Sequence, residues 1–178
     1  MHGARIAILL PNGLDAVCFD QAALALACVA VPMHALDNPA SIAYILADSD
    51  TSVLVAQTQE QWQAIVDTGV ALPSLRQVLI VEKTAAAPPS DGTRSVLLMT
   101  DWLAQAEPSP VATTHIGPAP DELATLVYTS GTTGKPKGVM LTHDNVLENV
   151  KATLQRVAPK PDDVFLSFLP LSHTFERT

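Results

Sequence analysis

The residues best suited to chemistry lie in a glycine-rich stretch, YTSGTTGKPKG, which runs from Tyr128 to Gly138. Glycine leaves the backbone bare, so that successive N–H groups can point into one concavity. Hydroxyl side chains and lysines add donors and positive charge at the same place. The candidate binding residues are Thr129, Ser130, Gly131, Thr132, Thr133, Gly134, Lys135 and Lys137. A polyphosphate needs many donors and neutralisation of its charge, so the stretch predicts a phosphate-binding loop.

Two familiar kinds of phosphate loop do not fit this stretch. A Walker A loop, G-x-x-x-x-G-K-[ST], would need a glycine at 129 and Ser or Thr at 136, where the chain has Thr129 and Pro136. Pro136 also disfavours helical backbone at Lys135, which argues against a helix that starts directly from the loop. The Rossmann pattern G-x-G-x-x-G is absent as well. The stretch therefore predicts a loop between two strands, although composition alone leaves a glycine-rich surface turn open.

The whole stretch from Tyr128 to Val139 resembles the phosphate-loop signature of the adenylate-forming enzymes. These are the acyl-CoA synthetases, the adenylation domains of peptide synthetases and the luciferases. A second stretch, LPLSHTFERT at 169–178, is similar to the next motif of that family. Its His-Thr-Phe-Glu-Arg order points to the long-chain fatty acyl-CoA synthetases. Residues 5–11 and 37–48 are also similar to that branch, so the resemblance covers most of the chain.

The resemblance implies a ligase that joins a long-chain fatty acid to CoA. Its members react a carboxylate with magnesium ATP to give an acyl-adenylate and pyrophosphate, and the thiol of CoA then displaces AMP. ATP, magnesium, CoA and a fatty acid are the implied cofactors and substrates, and a homodimer is implied for the full-length parent. Two other functions stay open: a non-catalytic nucleotide-binding module, and amino-acid adenylation in a peptide synthetase. The Ser-His-Thr-Phe-Glu-Arg stretch weighs against the second of these.

The resemblance also implies roles for individual residues. The six residues from Thr129 to Gly134 would line the β- and γ-phosphates, and the Thr129 hydroxyl would reach the magnesium. Lys137 would be the recurring lysine of this loop and a catalytic residue, whereas Lys135 occupies a position that often holds leucine. His173, the second catalytic candidate, would lie where the activated carboxylate and the α-phosphate meet.

Several functional segments of the family have no counterpart in residues 1–178. These are the segments that bind adenine, ribose and magnesium, and a C-terminal lysine that contacts the carboxylate. The resemblance therefore implies a truncated piece of the large N-terminal domain. Because a preorganised site needs all of these groups together, we expect the chain by itself to be inactive.

The composition suits a folded α/β protein. Hydrophobic residues make up 48% of the chain and aromatic residues only 4%, so Ala, Val, Leu and Ile must build the core. A net charge of −8 argues against nucleic acid as a partner. The longest apolar stretch, residues 22–33, is too short to span a bilayer. We expect a cytoplasmic protein without a transmembrane segment, with the inner membrane surface as a second location for the parent. Cys18 and Cys28 are expected to be buried in a helix.

Strands alternate with helices along the chain, which predicts a mostly parallel, doubly wound sheet flanked by helices. Strands are predicted at 6–10, 29–33, 53–55, 78–81, 123–128, 137–141 and 164–169. Helices are predicted at 14–29, from Pro39 behind an Asn38 N-cap, at 59–67, and after a Thr142 cap. Residues 1–106 are predicted to form a βαβ sub-domain, 107–120 a proline-rich linker, and 121–178 the phosphate-loop segment.

Overall fold

The computed structural model describes residues 2–82, 93–105, 117–129, 135–166 and 169–173. The strands in these ranges are β1 (Arg5–Leu9), β2 (Val29–Pro32), β3 (Val53–Ala56), β4 (Gln77–Ile80), β5 (Ser95–Leu98), β6 (Leu123–Thr129) and β7 (Lys137–Thr142). The helices are α1 (Leu14–Ala25), α2 (Pro39–Asp48), α3 (Gln59–Val66), α4 (Met99–Ala104) and α5 (His143–Arg156).

The described strands form one seven-stranded sheet in the order β5-β4-β3-β1-β2-β6-β7. Every neighbouring pair is parallel except β6 and β7, which are antiparallel. The chain moves from β1 to β2 on one side and then returns to β3 on the other, so the winding reverses at β1. The predicted mostly parallel, doubly wound sheet is confirmed.

Helices cover both faces of the sheet, and this explains the unbroken apolar run of β1. Ala7 and Leu9 point to the face covered by α2 and α3, while Ile6 and Ile8 point to the face covered by α1. Successive residues of a strand point to opposite faces, so a strand buried on both sides must be apolar at every position. Helix α4 lies on the α1 side, where Phe19 stacks on Trp102 with 6.4 Å between ring centroids.

Helix α1 is shorter than predicted. It ends at Ala25 because Ala27 adopts a left-handed backbone with φ of 53°, which ends the α-helical run. The Cys28 amide then donates back to the Ala23 carbonyl at 2.8 Å. Cys28 is buried but lies outside the helix, and Cys18 is exposed, so the expectation that both cysteines are buried in a helix was wrong.

The predicted helix caps are confirmed. The Asn38 side chain accepts a hydrogen bond from the Ser41 amide at 2.9 Å, and Pro39 is the first residue of α2. The Thr142 side chain accepts a hydrogen bond from the Asn145 amide at 3.2 Å. In return, the Asn145 side chain accepts a hydrogen bond from the backbone amide of Thr142. Such reciprocal bonds satisfy amides that a helix start leaves without partners.

Two parts of the prediction differ from the structure. Strand β5 and helix α4 were not predicted, because β5 is a four-residue run whose strand character comes from pairing with β4. The strand predicted at 164–169 is wrong where the structure describes it. Residues 164–166 pair with no described strand, and the side chains of Val164, Phe165 and Leu166 are exposed. An apolar run becomes a strand only where a partner backbone is available for its hydrogen bonds.

In the part of the chain that the structure describes, no helix combines the length and apolar character needed to cross a bilayer. Most of the predicted linker, residues 107–116, lies outside the described residues, as do residues 83–92. The division into a sub-domain, a linker and a phosphate-loop segment stays a prediction.

Candidate functional site

A cavity of about 470 Å³ opens at the carboxyl ends of β2 and β6. Ligands of doubly wound sheets bind outside the carboxyl ends of the strands, so this is the expected place for a site. The residues that line the cavity come from both strand ends, from the start of α2 and from the second motif. They are Pro32, Met33, His34, Asp37, Ser41, Ile45, Tyr128, Thr129, Pro136 and Ser172.

The antiparallel pair β6–β7 carries the two flanks of the glycine-rich stretch. Thr129 is the last residue of β6 and lies directly opposite Lys137, the first residue of β7. Thr129 lines the cavity, and Lys137 is exposed. The expectation of a loop between two strands is confirmed for these flanks. The predicted phosphate ligands Ser130, Gly131, Thr132, Thr133 and Gly134 lie outside the described residues.

The two lysines of the stretch have different surroundings. The Lys135 ammonium lies 5.6 Å from the centroid of the Tyr44 ring, which is the geometry of a cation–π contact. Among the residues that the structure describes, Lys137 forms no ion pair. Of the two lysines, therefore, Lys135 has a described contact for its charge, and Lys137 has no described ion pair.

Two tyrosines share one carboxylate beside the cavity. The Tyr128 hydroxyl donates to Oδ2 of Asp48 at 2.7 Å, and the Tyr44 hydroxyl donates to Oδ1 of the same residue at 3.3 Å. Burial raises the pKa of Tyr128, and the hydrogen bond to Asp48 and its negative charge raise it further. Desolvation and Asp48 also raise the pKa of Tyr44. Both hydroxyls are thus held in their protonated, hydrogen-bond-donating form.

Gly138 makes room for the Tyr128 ring. The two residues are opposite each other in the β6–β7 register. A Cβ atom at 138 would lie 3.0 Å from Cζ of Tyr128 and 3.2 Å from its hydroxyl oxygen. Real Cβ atoms rarely come so close to another heavy atom, so a side chain here would require the ring to shift by a few tenths of an ångström.

Asn12, which follows β1, forms two hydrogen bonds to the backbone of the second motif. The side chain of Asn12 accepts a hydrogen bond from the Leu171 amide at 2.9 Å, and its Nδ2 donates to the Leu169 carbonyl at 2.6 Å. The Leu171 side chain packs against the α1 side of the core, and the next residue, Ser172, lines the cavity. The structure therefore brings both motifs to one cavity.

The role of His173 stays a prediction. Its amide donates to the Pro170 carbonyl at 2.8 Å, which holds it in a turn next to Ser172. The residue is exposed and is not among those that line the cavity. Residues 174–178, which complete the motif, lie outside the described residues.

Sequence reasoning assigned no role to Asn12, Asp48 or Tyr44. Asn12 lies in a Pro-Asn-Gly segment typical of a chain break, and Asp48 lies at a helix end. A usable signal for Asn12 was its place directly after a buried strand, where the carboxyl ends of parallel strands meet. No comparable signal marks Asp48, because its partner Tyr128 is 80 residues away.

The described residues suit a phosphate ligand better than they suit a metal ion. Thr129 and Lys137 lie opposite each other at the strand ends, and a hydroxyl and an ammonium group are both donors that phosphate oxygens accept. Magnesium is usually held by one or two carboxylates together with substrate phosphates. Within the described ranges, no group of three or more His, Cys, Asp or Glu residues could hold a metal. The cavity lining includes one carboxylate, that of Asp37, and a fuller set of metal ligands is not present among the described residues.

The chain is similar to known fatty acyl-CoA ligases along nearly its whole length. It is 32% identical to long-chain-fatty-acid–CoA ligase 1 of Homo sapiens, over 97% of this chain and 26% of that protein. It is 33% identical to fatty acyl-CoA synthetase A of Dictyostelium discoideum, over 98% of this chain and 26% of that protein. The chain thus spans about a quarter of the length of these relatives.

The chain is also similar to a solved structure. The crystal structure of ATP-bound MatB from Rhodopseudomonas palustris superposes with a TM-score of 0.73 and 26% identity, over 99% of this chain and 32% of that one. Residues 1–178 also match the family described as AMP-binding enzyme. With both motifs at one cavity of a doubly wound sheet, the chain belongs to the AMP-binding enzyme family.

Proposed function

We propose that this chain is part of a longer enzyme, the parent ligase, that activates a long-chain fatty acid with ATP and transfers the acyl group to CoA. The observation that carries this proposal is the meeting of Thr129 from the first motif and Ser172 from the second at one cavity. The names of the relatives support the choice of a fatty acid and of CoA. The ATP-bound neighbour supports the nucleotide.

The proposed reaction has two steps. A carboxylate oxygen of the fatty acid attacks the α-phosphorus of ATP, the bond from that phosphorus to the bridging oxygen breaks, and pyrophosphate leaves. The sulfur of CoA then attacks the acyl carbon of the adenylate, its proton is lost, and AMP leaves. Both steps develop negative charge on oxygen, which positioned donors and cations stabilise.

We propose a role for each of the candidate residues. Lys137 and Thr129 would donate to the β- and γ-phosphates, together with the residues at 130–134. We assign the principal cationic role to Lys137 rather than Lys135, because the Lys135 ammonium already lies over the Tyr44 ring. His173, at the turn beside Ser172, would contact the acyl oxygen once substrate is bound. Magnesium would neutralise phosphate charge, with the Thr129 hydroxyl as one ligand and further ligands from outside the described residues.

The test is carboxylate-dependent exchange of pyrophosphate into ATP. The parent ligase should catalyse exchange with long-chain fatty acids and should then form acyl-CoA. The 178-residue chain should give none, since a preorganised site also needs the adenine, ribose and magnesium segments that have no counterpart in residues 1–178. Turnover by the 178 residues alone would contradict the expected inactivity. Exchange that requires an amino acid would favour the peptide-synthetase alternative, and nucleotide binding without exchange by the parent would favour a non-catalytic module.

A further inference from the structure

Asp48 is at odds with its local position. It is the last residue of α2, a helix with no basic residue in its last turn. The negative end of the helix dipole lies there, so a carboxylate at this place is unfavourable for the helix itself. Residues that oppose local preference are expected where a tertiary or functional contact compensates. For Asp48, the compensating contacts are the hydroxyls of Tyr44 and Tyr128.

These contacts reach both flanks of the glycine-rich stretch. Tyr128 stands one residue before Thr129 on the incoming strand β6. On the outgoing side, the Lys135 ammonium lies 5.6 Å from the centroid of the Tyr44 ring, and the hydroxyl of that ring donates to Asp48. The carboxylate and the ammonium thus lie on one connected cluster: Asp48, Tyr44, Tyr128 and Lys135.

We propose that Asp48 is a positioning residue that holds Tyr128 directly, and Lys135 through Tyr44, and so fixes both flanks of the glycine-rich stretch at the cavity. This inference rests on the proposed function, since ATP is the ligand whose binding it affects. Residues 130–134 connect the two flanks. Flanks that are already held in place leave less conformational freedom to be lost when phosphates bind. The effect should therefore appear in the affinity for ATP and not in that for the fatty acid.

The first experiment compares two neighbouring aspartates in the parent ligase. Asp48→Asn removes the charge that the two tyrosines share and should raise KM for ATP about fivefold, as the loss of one net hydrogen bond predicts. KM for the fatty acid should not change. Asp50→Asn is the matched control, because Asp50 contacts Ser74 instead and its positive φ of 51° is well tolerated by Asn.

The second experiment separates the two functions of Tyr44. Tyr44→Phe loses the hydroxyl that binds Asp48 but keeps a ring beneath Lys135, whereas Tyr44→Leu loses both. If the ring holds Lys135, Tyr44→Leu should raise KM for ATP more than Tyr44→Phe does. Equal effects of the two variants would remove Lys135 from the cluster.

The third experiment does not depend on activity. Tyr44 and Tyr128 are the two tyrosines of the 178-residue chain, so its tyrosinate absorbance reports on this cluster alone. In the native chain both should ionise above the usual pKa of about 10, and Asp48→Asn should lower that midpoint. Asp50→Asn should leave it in place.

The outcomes keep this inference apart from the proposed function. Absence of exchange in the unmodified parent ligase would refute the proposed function, and the positioning role with it, whatever the tyrosine titration shows. With an active parent, unchanged KM for ATP in Asp48→Asn would overturn the positioning role. An equal rise of both KM values together with lower thermal stability would also overturn it, because that pattern marks general loss of structure. Normal tyrosine ionisation in the native chain would show that the cluster does not form.

Discussion

The side chain of Asn12 binds the backbone of Leu171 at 2.9 Å, although the two residues are 159 positions apart. The side-chain amide of Asn12 also donates to the Leu169 carbonyl. It thus binds one acceptor and one donor of the backbone of the second motif, as a neighbouring strand would. A short polar side chain shortly after β1 thus helps to hold the segment that carries Ser172 and His173.

Asn12→Ala should release this segment. Both hydrogen bonds are exposed to solvent, so we expect a loss of only about 1 kcal/mol in the free energy of unfolding. The more specific sign is faster hydrogen exchange of the Leu171 amide, whose acceptor is lost. Asn149→Ala, at an exposed position of α5, is the control and should leave that amide unchanged. Unchanged protection of Leu171 in Asn12→Ala would refute the role of Asn12.

Gly138→Ala should destabilise the hairpin β6–β7 through the Tyr128 ring. The new methyl group would lie 3.0 Å from Cζ of Tyr128, which we expect to cost about 1–3 kcal/mol of unfolding free energy as in other overpacked sites. Gly117→Ala is the matched control, because no heavy atom of the residues that the structure describes lies within 4 Å of its Cβ position. Urea unfolding measures both. When Tyr128 is also replaced by Ala, Gly138→Ala should no longer lower the free energy of unfolding. A loss that persists would mean that the new methyl group clashes with another residue.

Stability at alkaline pH should depend on Tyr128. Its pKa in the folded chain is raised, whereas in the unfolded chain it stays near the usual value of about 10. The unfolded state therefore loses the proton first as the pH rises. The contribution of Tyr128 is fully present below about pH 10 and is lost as the pH climbs toward the folded-state pKa.

The measurement is the free energy of unfolding in urea at a series of pH values above and below this point. It should fall less steeply above about pH 10 in Tyr128→Phe than in the unmodified chain. Tyr44→Phe should reduce this slope by less, since the Tyr44 hydroxyl makes the longer hydrogen bond to Asp48, 3.3 Å against 2.7 Å for Tyr128. Identical slopes in all three proteins would contradict the raised pKa.

Lys137→Ala should slow adenylation by the parent ligase. Loss of one cation from the phosphate site should lower the exchange rate about 100-fold, the size seen when one transition-state donor is removed elsewhere. Lys151→Ala is a suitable control, because this lysine pairs with Glu148 on the exposed side of α5. An exchange rate in Lys137→Ala equal to that of the control would remove Lys137 from the site.

Local patterns were reliable wherever the cause of structure was local. The apolar runs of β1, β2 and β6 predicted their strands, and Asn38 and Thr142 predicted the starts of α2 and α5. A cap acts within its own helical turn, and a buried strand needs an apolar sequence whatever its partners are. The apolar run at 164–166 was misread for the opposite reason: its conformation depends on a partner strand that the sequence does not reveal.

The sequence by itself determined the parallel α/β class, the glycine-rich stretch with its donors, and the membership that the family match confirms. These depend on composition, spacing and short motifs. Only the tertiary structure decided that Asp48 serves both tyrosines, that Lys135 rather than Lys137 lies over Tyr44, and that Asn12 holds the second motif. Each of these contacts joins elements far apart in the chain, and the order of the strands in the sheet brings them together.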